Sequence, residues 1–408
     1  MASLLLPIIY IAFVSLGLPD ALLGSAWPTM SRDLGAPVSW AGGISMTICA
    51  GTIVSALLSD RLTLRFGVGR VTTVSVGITA AALMGFSLAP NYAVLVLVAV
   101  PYGLGAGGVD AALNNYVAIH YESRHMSWLH CMWGLGTLIG PYVMGYALAG
   151  GQGWPWGYRY IGLLQIALTV VLVLSLPLWK GRRPAAAGQS DGASARTDAG
   201  GGARQVGGAA KPLGLTGVLA IDGAKEILLM FLCYCAIEST AMLWGSSYLV
   251  MAEGIDATTA ATWASLFCIG ITVGRGLSGF LTMRMSDPAM IRLGQTLVLA
   301  GVAVMLLPLP AHMGPLAGLV MVGLGCAPIY PCVIHSTPAY FGEERSQAIV
   351  GVQMACAYVG SMLMPPLFGL IAQHVSIRLF PFYLIAFLII MTFMHERLRR
   401  KHAASMRV

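Results

Sequence analysis

The chain has 408 residues, of which 57% are hydrophobic and only 10% are charged. So few charges exclude a soluble globular protein of this size, and apolar runs of about 20 residues recur along the whole length. The net charge of +7 gives no support for nucleic-acid binding, because the basic residues flank the apolar runs. The sequence therefore predicts an all-α polytopic membrane protein whose main surroundings are the lipid bilayer.

In chain order, the apolar runs predict twelve transmembrane helices, with ends accurate to a few residues. They cover residues 4–30, 38–58, 71–89, 92–118, 126–149, 158–179, 225–251, 257–282, 289–308, 314–339, 346–373 and 377–396. If the N-terminus is inside, every Lys and Arg except Arg32, Arg159, Arg275 and Arg378 falls on the cytoplasmic side. The positive-inside rule favours that orientation. We therefore expect both termini in the cytoplasm and the protein in the inner (cell) membrane.

The middle of the chain predicts a boundary between two six-helix bundles. Residues 181–216 are rich in Gly, Ala, Ser and Arg and contain no apolar run. Such a composition is typical of a flexible, solvated linker. We predict a bundle over residues 1–180, a cytoplasmic linker over 181–220, and a second bundle over 221–408.

The two predicted bundles are weak copies of each other. Corresponding features lie 218 to 224 residues apart: Gly136-x4-Pro141-x3-Gly145 and Gly360-x4-Pro365-x3-Gly369, the GLG of 103–105 and that of 323–325, and Asp20 and Glu238. Parallel six-helix repeats with a solute site between them near the membrane midplane are a known transporter architecture. The repeat therefore predicts a major facilitator fold with its site between the halves.

Polar side chains cluster on the fourth and fifth predicted helices. Asp110 and Asn114 are four residues apart and share a helical face, with Asn115 beside them. His130 and Trp133 share a face of the next helix. Carboxylates inside a membrane are costly and point to function. The alternative is a set of interhelical hydrogen bonds that only holds the bundle together.

Three acids lie well inside predicted spans: Asp20, Asp110 and Glu238. None has an obvious Lys or Arg beside it, so each is expected to protonate readily, as a proton carrier requires. Glu238 could instead pair with Arg275. We place that arginine nearer the cytoplasmic end, among glycines, where it predicts a gating contact.

Amides, carboxylates and indoles supply the predicted solute site, because sugars bind through hydrogen bonds and through C–H faces stacked on aromatic rings. The candidate solute-binding residues are Asp20, Asn114, Asn115, His130, Trp133, Glu238, Trp244 and Gln353. The candidate proton-coupling residues are Asp110, Asp20 and His130. We predict H+ as the coupling ion, with Na+ as the alternative, and no other cofactor or metal.

The stretch SDRLTLRFGVGR (59–70) resembles the loop between helices 2 and 3 of the major facilitator superfamily, although Met283 stands where the second copy would carry an acid. This resemblance predicts that Asp60, Arg61, Arg70 and Arg284, together with Arg275, take part in gating. Over its full length the chain resembles a member of that superfamily, and within it the chain is similar to the fucose permease-like group of sugar:proton symporters. The patterns that carry this are GLPDALLGSAWPTM (17–30), GGVDAALNNYV (107–117), YCAIESTAMLWGSSYLV (234–250) and GLGCAPIYPCVIHSTP (323–338).

The resemblance to that group implies roles for three residues. Asp110 and Asn114 match its acid and asparagine in helix 4, and Asp20 matches its acid in helix 1. The asparagine of helix 5 is replaced, with His130 and Trp133 nearby, so fucose itself is not implied. The resemblance implies a monomeric carrier that imports a sugar or related polyol together with a proton.

Two other functions stay open on the sequence. Gly136, Gly140, Pro141 and Gly145 partly match the helix-5 pattern of drug:proton antiporters, although Tyr146 replaces its final glycine. A transporter-like nutrient sensor is the more remote alternative. The sequence shows no phosphate loop, nucleophile elbow or metal-ligand cluster, so an enzyme is not expected.

Overall fold

The computed structural model describes residues 4–37, 40–179 and 212–405. Within these ranges the regular elements are helices, and no strand occurs. In the first half the helices are α1 (Leu5–Gly17), α2 (Leu22–Asp33), α3 (Ala41–Phe66), α4 (Val68–Leu88), α5 (Tyr92–His120), α6 (Ser123–Ala149) and α7 (Trp154–Trp179). In the second they are α8 (Leu215–Leu219), α9 (Ala224–Met251), α10 (Ala257–Leu281), α11 (Asp287–Met305), α12 (Met313–Phe341), α13 (Glu343–Ile371) and α14 (Phe380–Ser405). The predicted all-α class is confirmed.

These helices, apart from the short α8, account for the twelve predicted crossings. α1 and α2 together form the first crossing, and each later crossing is one helix. Several helices run past the predicted ends, as α3 does to Phe66 where the prediction ended at residue 58. Hydropathy marks only the apolar part of a helix, so it misses a polar turn that continues beyond the membrane surface.

Glycines bring helices close together at equivalent places in the two halves. A Cβ atom on Gly103 of α5 would overlap the carbonyl oxygen of Ile48 in α3. In the second half, a Cβ atom on Gly323 of α12 would lie 2.6 Å from the carbonyl oxygen of Phe267 in α10. Small residues permit such close crossings inside membranes. The repeated GLG therefore marks the same helix crossing in each half.

The halves contact each other at the end of the bundle where α7 finishes and α8 begins, which we call the linker end. α5 also ends here and α13 begins here. Asn115 of α5 accepts a hydrogen bond from Ser346 (2.6 Å) and donates one to Gln347 (2.9 Å), both on α13. One turn further in, Gly351 of α13 packs on the backbone of Ala56 in α3. These contacts close the linker end of the bundle.

Part of the predicted linker is structured. Residues 180–211 lie outside the described residues, but the chain from Leu213 onward packs on the bundle. The Leu213 backbone N–H donates to the Asp60 carboxylate (3.0 Å), and Val218 of α8 is fully buried. The predicted flexible linker of residues 181–220 is therefore wrong at its C-terminal end. Composition did not indicate the short helix α8, whose buried residue is Val218.

Candidate functional site

A cavity of about 490 Å³ lies between the two halves. Its walls come from α1, α2, α3, α5 and α6 on one side and from α9, α10, α12 and α13 on the other. Its charged lining side chains are those of Asp20, Asp110, Glu238 and Arg275. This volume is within the usual range for small-molecule sites, and we treat the cavity as the candidate site.

Asp20 reaches the cavity because the first membrane crossing is interrupted. α1 ends at Gly17 and α2 begins at Leu22, and Pro19 in the gap has no N–H to continue the helical ladder. The Asp20 side chain is exposed to the cavity and accepts a hydrogen bond from the Trp133 indole N–H (2.8 Å). No cation forms a salt bridge with Asp20 within the described part of the chain.

Asp110 is buried in α5 and joins three other polar groups. Its Oδ1 atom accepts from the Asn114 amide (2.7 Å), and its Oδ2 atom accepts from the Tyr358 hydroxyl of the second half (2.9 Å). The Asn114 amide oxygen lies 3.0 Å from His130 Nε2. Because that oxygen can only accept, Nε2 carries the hydrogen. The predicted shared face of Asp110 and Asn114 is confirmed, but Asn114, predicted to bind solute, is fully buried and does not line the cavity.

Glu238 forms an ion pair with Arg275, at 3.0 Å between Oε1 and Nη2. The same Nη2 lies 3.4 Å from the Tyr234 hydroxyl, and the guanidinium carbon lies 5.3 Å from the Trp133 ring centroid and 5.8 Å from that of Tyr330. Arg275 is only 2% exposed. Rings at these distances add cation–π attraction to the ion pair.

This pair corrects two expectations, that the buried acids have no basic partner and that Arg275 lies away from the site. The Arg275 Cα atom is near the end of α10, as predicted. Helical side chains tilt toward the N-terminus of their helix, and α10 begins at the end opposite the linker end. The long side chain therefore carries its guanidinium away from the linker end and into the cavity wall.

Besides Asn114, three further predicted solute-binding residues lie outside the cavity lining. Asn115 bonds to α13 at the linker end, the Trp244 indole N–H donates to the Pro365 carbonyl (2.9 Å), and Gln353 accepts from Thr337 (3.0 Å). At about 100° per residue, Asn115 and Trp244 are turned by more than about 100° from Asp110 and Glu238, the cavity-lining acids of their helices, and Gln353 is fully buried. This corrects the expectation that they line the site.

The residues predicted from the loop between helices 2 and 3 lie at the linker end. Asp60 is buried and accepts the hydrogen bond from Leu213, so it holds the returning chain. Arg61, Arg70 and Arg284 are exposed. Their gating role stays a prediction, whereas Arg275 belongs to the cavity.

Tyrosines are the lining residues that sequence reasoning missed. Tyr102, Tyr330 and Tyr358 all line the cavity. Tyrosine in a membrane protein usually indicates an interfacial anchor, so these were not singled out. A signal was available for one of them, because the spacing of the GLG repeat, 220 residues, places Tyr330 opposite Asp110.

The sequence profile of the Major Facilitator Superfamily matches residues 9–318 and 229–405. The chain belongs to the Major Facilitator Superfamily. Its fold agrees with two solved structures of FucP from that superfamily. The first, in the outward conformation, has a TM-score of 0.70 and 14% identity and covers 95% of this chain and 98% of that one. The second, a variant of the E. coli fucose:proton symporter, has a TM-score of 0.66 and 16% identity and covers 96% and 98%.

Three curated relatives share 21 to 24% sequence identity with this chain. Bypass of stop codon protein 6 of Saccharomyces cerevisiae is 22% identical over 67% of this chain and 56% of its own length. The uncharacterized transporter y4wD of Sinorhizobium fredii is 24% identical over 83% of each chain. Membrane protein MosC of Rhizobium meliloti is 21% identical over 82% of this chain and 76% of its own. At 14% and 16% identity the solved structures show the fold alone, which is the twelve-helix fold of the superfamily.

Proposed function

We propose that the protein is a secondary active transporter that moves a small polar solute, in the first place a sugar or related polyol, by proton symport. The observation that carries this proposal is the position of Asp110. Its carboxylate lies at the boundary of the two halves, hydrogen-bonded to Tyr358 across that boundary, and it has no cationic partner among the described residues. A proton that binds there changes a contact between the halves.

The hydrogen bonds explain how that proton could control alternation. An ionised carboxylate accepts stronger hydrogen bonds than a neutral acid. The ionised form of Asp110 therefore holds Tyr358, and with it the second half, more tightly than the protonated form does. Protonation would weaken this contact and remove a buried charge that is costly to enclose. A carrier of this kind changes conformation with its acid neutral, so the proton travels with the solute.

The cavity offers a polar solute both acceptors and donors. Asp20 presents a carboxylate whose one side-chain hydrogen bond among the described residues comes from Trp133. The lining hydroxyl groups of Ser45, Ser239 and Ser361 can donate to a solute, whereas Nε and Nη1 of Arg275 are buried in the cavity wall. Hydroxyl groups both donate and accept, and ring C–H faces stack on aromatic rings such as those of Tyr102 and Trp133. A neutral polyhydroxylated solute fits this combination better than an anion, because carboxylates outnumber the one cation.

The observed conformation is consistent with import. Contacts between the halves close the linker end, and the positive-inside rule places that end in the cytoplasm. The cavity would then be reached from outside the cell, as the first step of uptake requires. We propose a monomer in the inner membrane with both termini in the cytoplasm.

Export of a cationic compound is the second candidate, because the exposed Asp20 carboxylate could bind a cation. The glycine–proline pattern of α6 gives this candidate less support. A Cβ atom on Gly136 or Gly140 would overlap the α1 backbone, and Gly360 of the second half similarly faces the backbone of Leu232. The pattern therefore serves helix packing in both halves. A nutrient sensor has no specific observation in its favour.

The experiment is solute uptake by the purified protein in proteoliposomes. Monosaccharides, polyols, sugar acids and organic cations are offered with an inward proton gradient, an inward Na+ gradient or neither. We expect sugars or polyols to accumulate only with the proton gradient. Accumulation with the Na+ gradient alone would show that Na+ is the coupling ion. Efflux of an organic cation in exchange for entering protons, without any sugar uptake, would contradict symport and support the exporter.

A further inference from the structure

A second polar cluster joins the two halves at the linker end, outside the cavity. His335 of α12 lies 2.6 Å from Asp287 Oδ2 of α11 through Nδ1, and 3.0 Å from the Tyr121 carbonyl oxygen through Nε2. The Ser123 hydroxyl donates to Oδ1 of Asp287. Tyr121 and Ser123 belong to the first half, and Asp287 and His335 to the second. We call these four residues the gate cluster.

The hydrogen bonds of the gate cluster fix its proton count. A backbone carbonyl only accepts, so His335 Nε2 carries a hydrogen. Nδ1 and the Asp287 oxygen are 2.6 Å apart, and two lone pairs would repel at that separation, so a hydrogen lies between them. Whether the pair is imidazolium with carboxylate or imidazole with carboxylic acid, it holds one proton more than neutral imidazole with carboxylate.

We propose that His335 and Asp287 form a second proton-binding site, separate from Asp110, that must be occupied for the linker end to close. The proposal rests on the proposed function only in that the halves alternate between two conformations. Opening the linker end moves Tyr121 and Ser123 away with the first half. The pair then loses two hydrogen bonds and gains contact with water, into which its proton can leave.

Among residues 4–37, 40–179 and 212–405, no lysine or arginine forms a salt bridge with either member of the pair. Asp287 forms a salt bridge only with His335 among the described residues. Cys332 lies on the same helix as His335, and Tyr340 and His402 line the recess beside Asp287. On the neighbouring surface, Arg292 and Glu396 of α11 and α14 pair with each other at 2.7 Å. The bound proton is therefore what joins His335 to Asp287.

This site exchanges protons with the solution at the linker end only, because it is remote from the cavity lining. It therefore reports the pH on that side and does not carry a proton across with the solute. The closed state therefore holds one proton more than an open state in which His335 and Asp287 have released their shared proton. By linkage, the ratio of closed to open protein falls by up to about tenfold for each unit rise in pH. Acid at the linker end keeps it closed, and base favours its opening.

The accessibility of a native cysteine can report whether the linker end is open. Cys332 is fully buried, and its Sγ atom lies 3.9 Å from Ser123 Oγ across the boundary of the halves. N-ethylmaleimide should reach it only when the linker end opens. Labelling of Cys332 is followed by mass spectrometry from about pH 6 to about pH 8, without solute. Each rate is divided by that of a peptide containing residues 328–336, which removes the intrinsic pH dependence of the thiol. Cys233, buried in α9, is the control for unfolding.

We expect the corrected Cys332 rate to rise by up to about tenfold per pH unit in the unmodified protein. In Asp287→Asn the new amide N–H can donate to Nδ1 of neutral His335, so the gate should stay closed and the rise should disappear. His335→Gln, which cannot take up a proton, should also lose the rise. A flat profile in the unmodified protein, or an unchanged rise in either variant, would overturn the proposal. Because no solute is used, these outcomes are independent of whether sugar:proton symport is correct.

Discussion

The two halves of the cavity contain carboxylates at corresponding positions of the repeat, but the partners of these carboxylates differ. Asp20 in the first half is exposed and bonded to the neutral Trp133 indole. Glu238 in the second half is paired with Arg275, which is almost completely buried. The second half therefore holds an ion pair, whereas Asp20 and Asp110 of the first half form no salt bridge with any described residue.

This difference indicates that the two halves of the repeated fold have different functions. A carboxylate paired with a buried arginine stays ionised while the pair holds, so it can shape the cavity without taking up a proton. An unpaired carboxylate in a membrane gains from protonation. Binding of the proton that travels with the solute is therefore expected in the first half, where Asp110 contacts the second half through Tyr358.

The largest effect is expected from breaking the ion pair. Removing one partner of a buried pair leaves the other charge uncompensated, so Glu238→Gln should lower the free energy of unfolding by about 3 kcal/mol. Asp20→Asn, at the corresponding position of the repeat, should cost less than about 1 kcal/mol because it leaves no stranded charge. Denaturant unfolding of the purified protein in detergent compares the two. Equal losses of unfolding free energy in the two variants would contradict the difference between these positions.

The sequence predicted the architecture better than the pairing inside it. Hydropathy and the repeat were sufficient for twelve helices in two halves, because crossings depend on runs of some 20 residues. Asp110, Asn114 and His130 were grouped correctly, since their spacing is local to two consecutive helices. The Glu238–Arg275 pair joins residues 37 apart, and it depends on the direction of one long side chain.

The same limit explains the residues that were misplaced. Trp133 and Trp244 are both tryptophans of predicted spans, and composition does not distinguish them. Only the rotation of each helix, which the packing of its neighbours sets, turns one indole toward the cavity and the other toward Pro365. Tyr358 was missed because its function depends on a partner in the other half of the chain.

An intermediate effect is expected when the indole that holds Asp20 is changed. Trp133→Phe keeps an aromatic ring beside Arg275 but removes the N–H that bonds to the carboxylate. Affinity for the transported solute should fall by about tenfold, the value of one hydrogen bond to a charged group. The matched control is Trp244→Phe, which loses a comparable hydrogen bond outside the cavity and should change affinity less than about twofold. Isothermal titration with the solute identified by uptake measures both, and equal losses would contradict the assignment of the cavity.

The smallest effect is expected in the connection between the halves. Deleting about ten residues within 181–211 should change the uptake rate less than about twofold, since the cost of closing a flexible loop varies slowly with its length. Deleting residues 212–219 should be damaging, because that stretch carries the contact of Leu213 with Asp60 and the buried Val218. Similar losses of uptake in both deletions would show that the first stretch is also structural.

The most direct test of proton coupling in the first half is Asp110→Asn in proteoliposomes. This change keeps a hydrogen-bonding side chain but fixes it in a neutral form. We predict that solute binding and exchange of labelled solute across the membrane stay within about threefold of the unmodified protein, while accumulation driven by an imposed proton gradient is lost. If Asp110→Asn still concentrates the solute as the unmodified protein does, Asp110 does not carry the coupling proton and the proposed division between the halves is wrong.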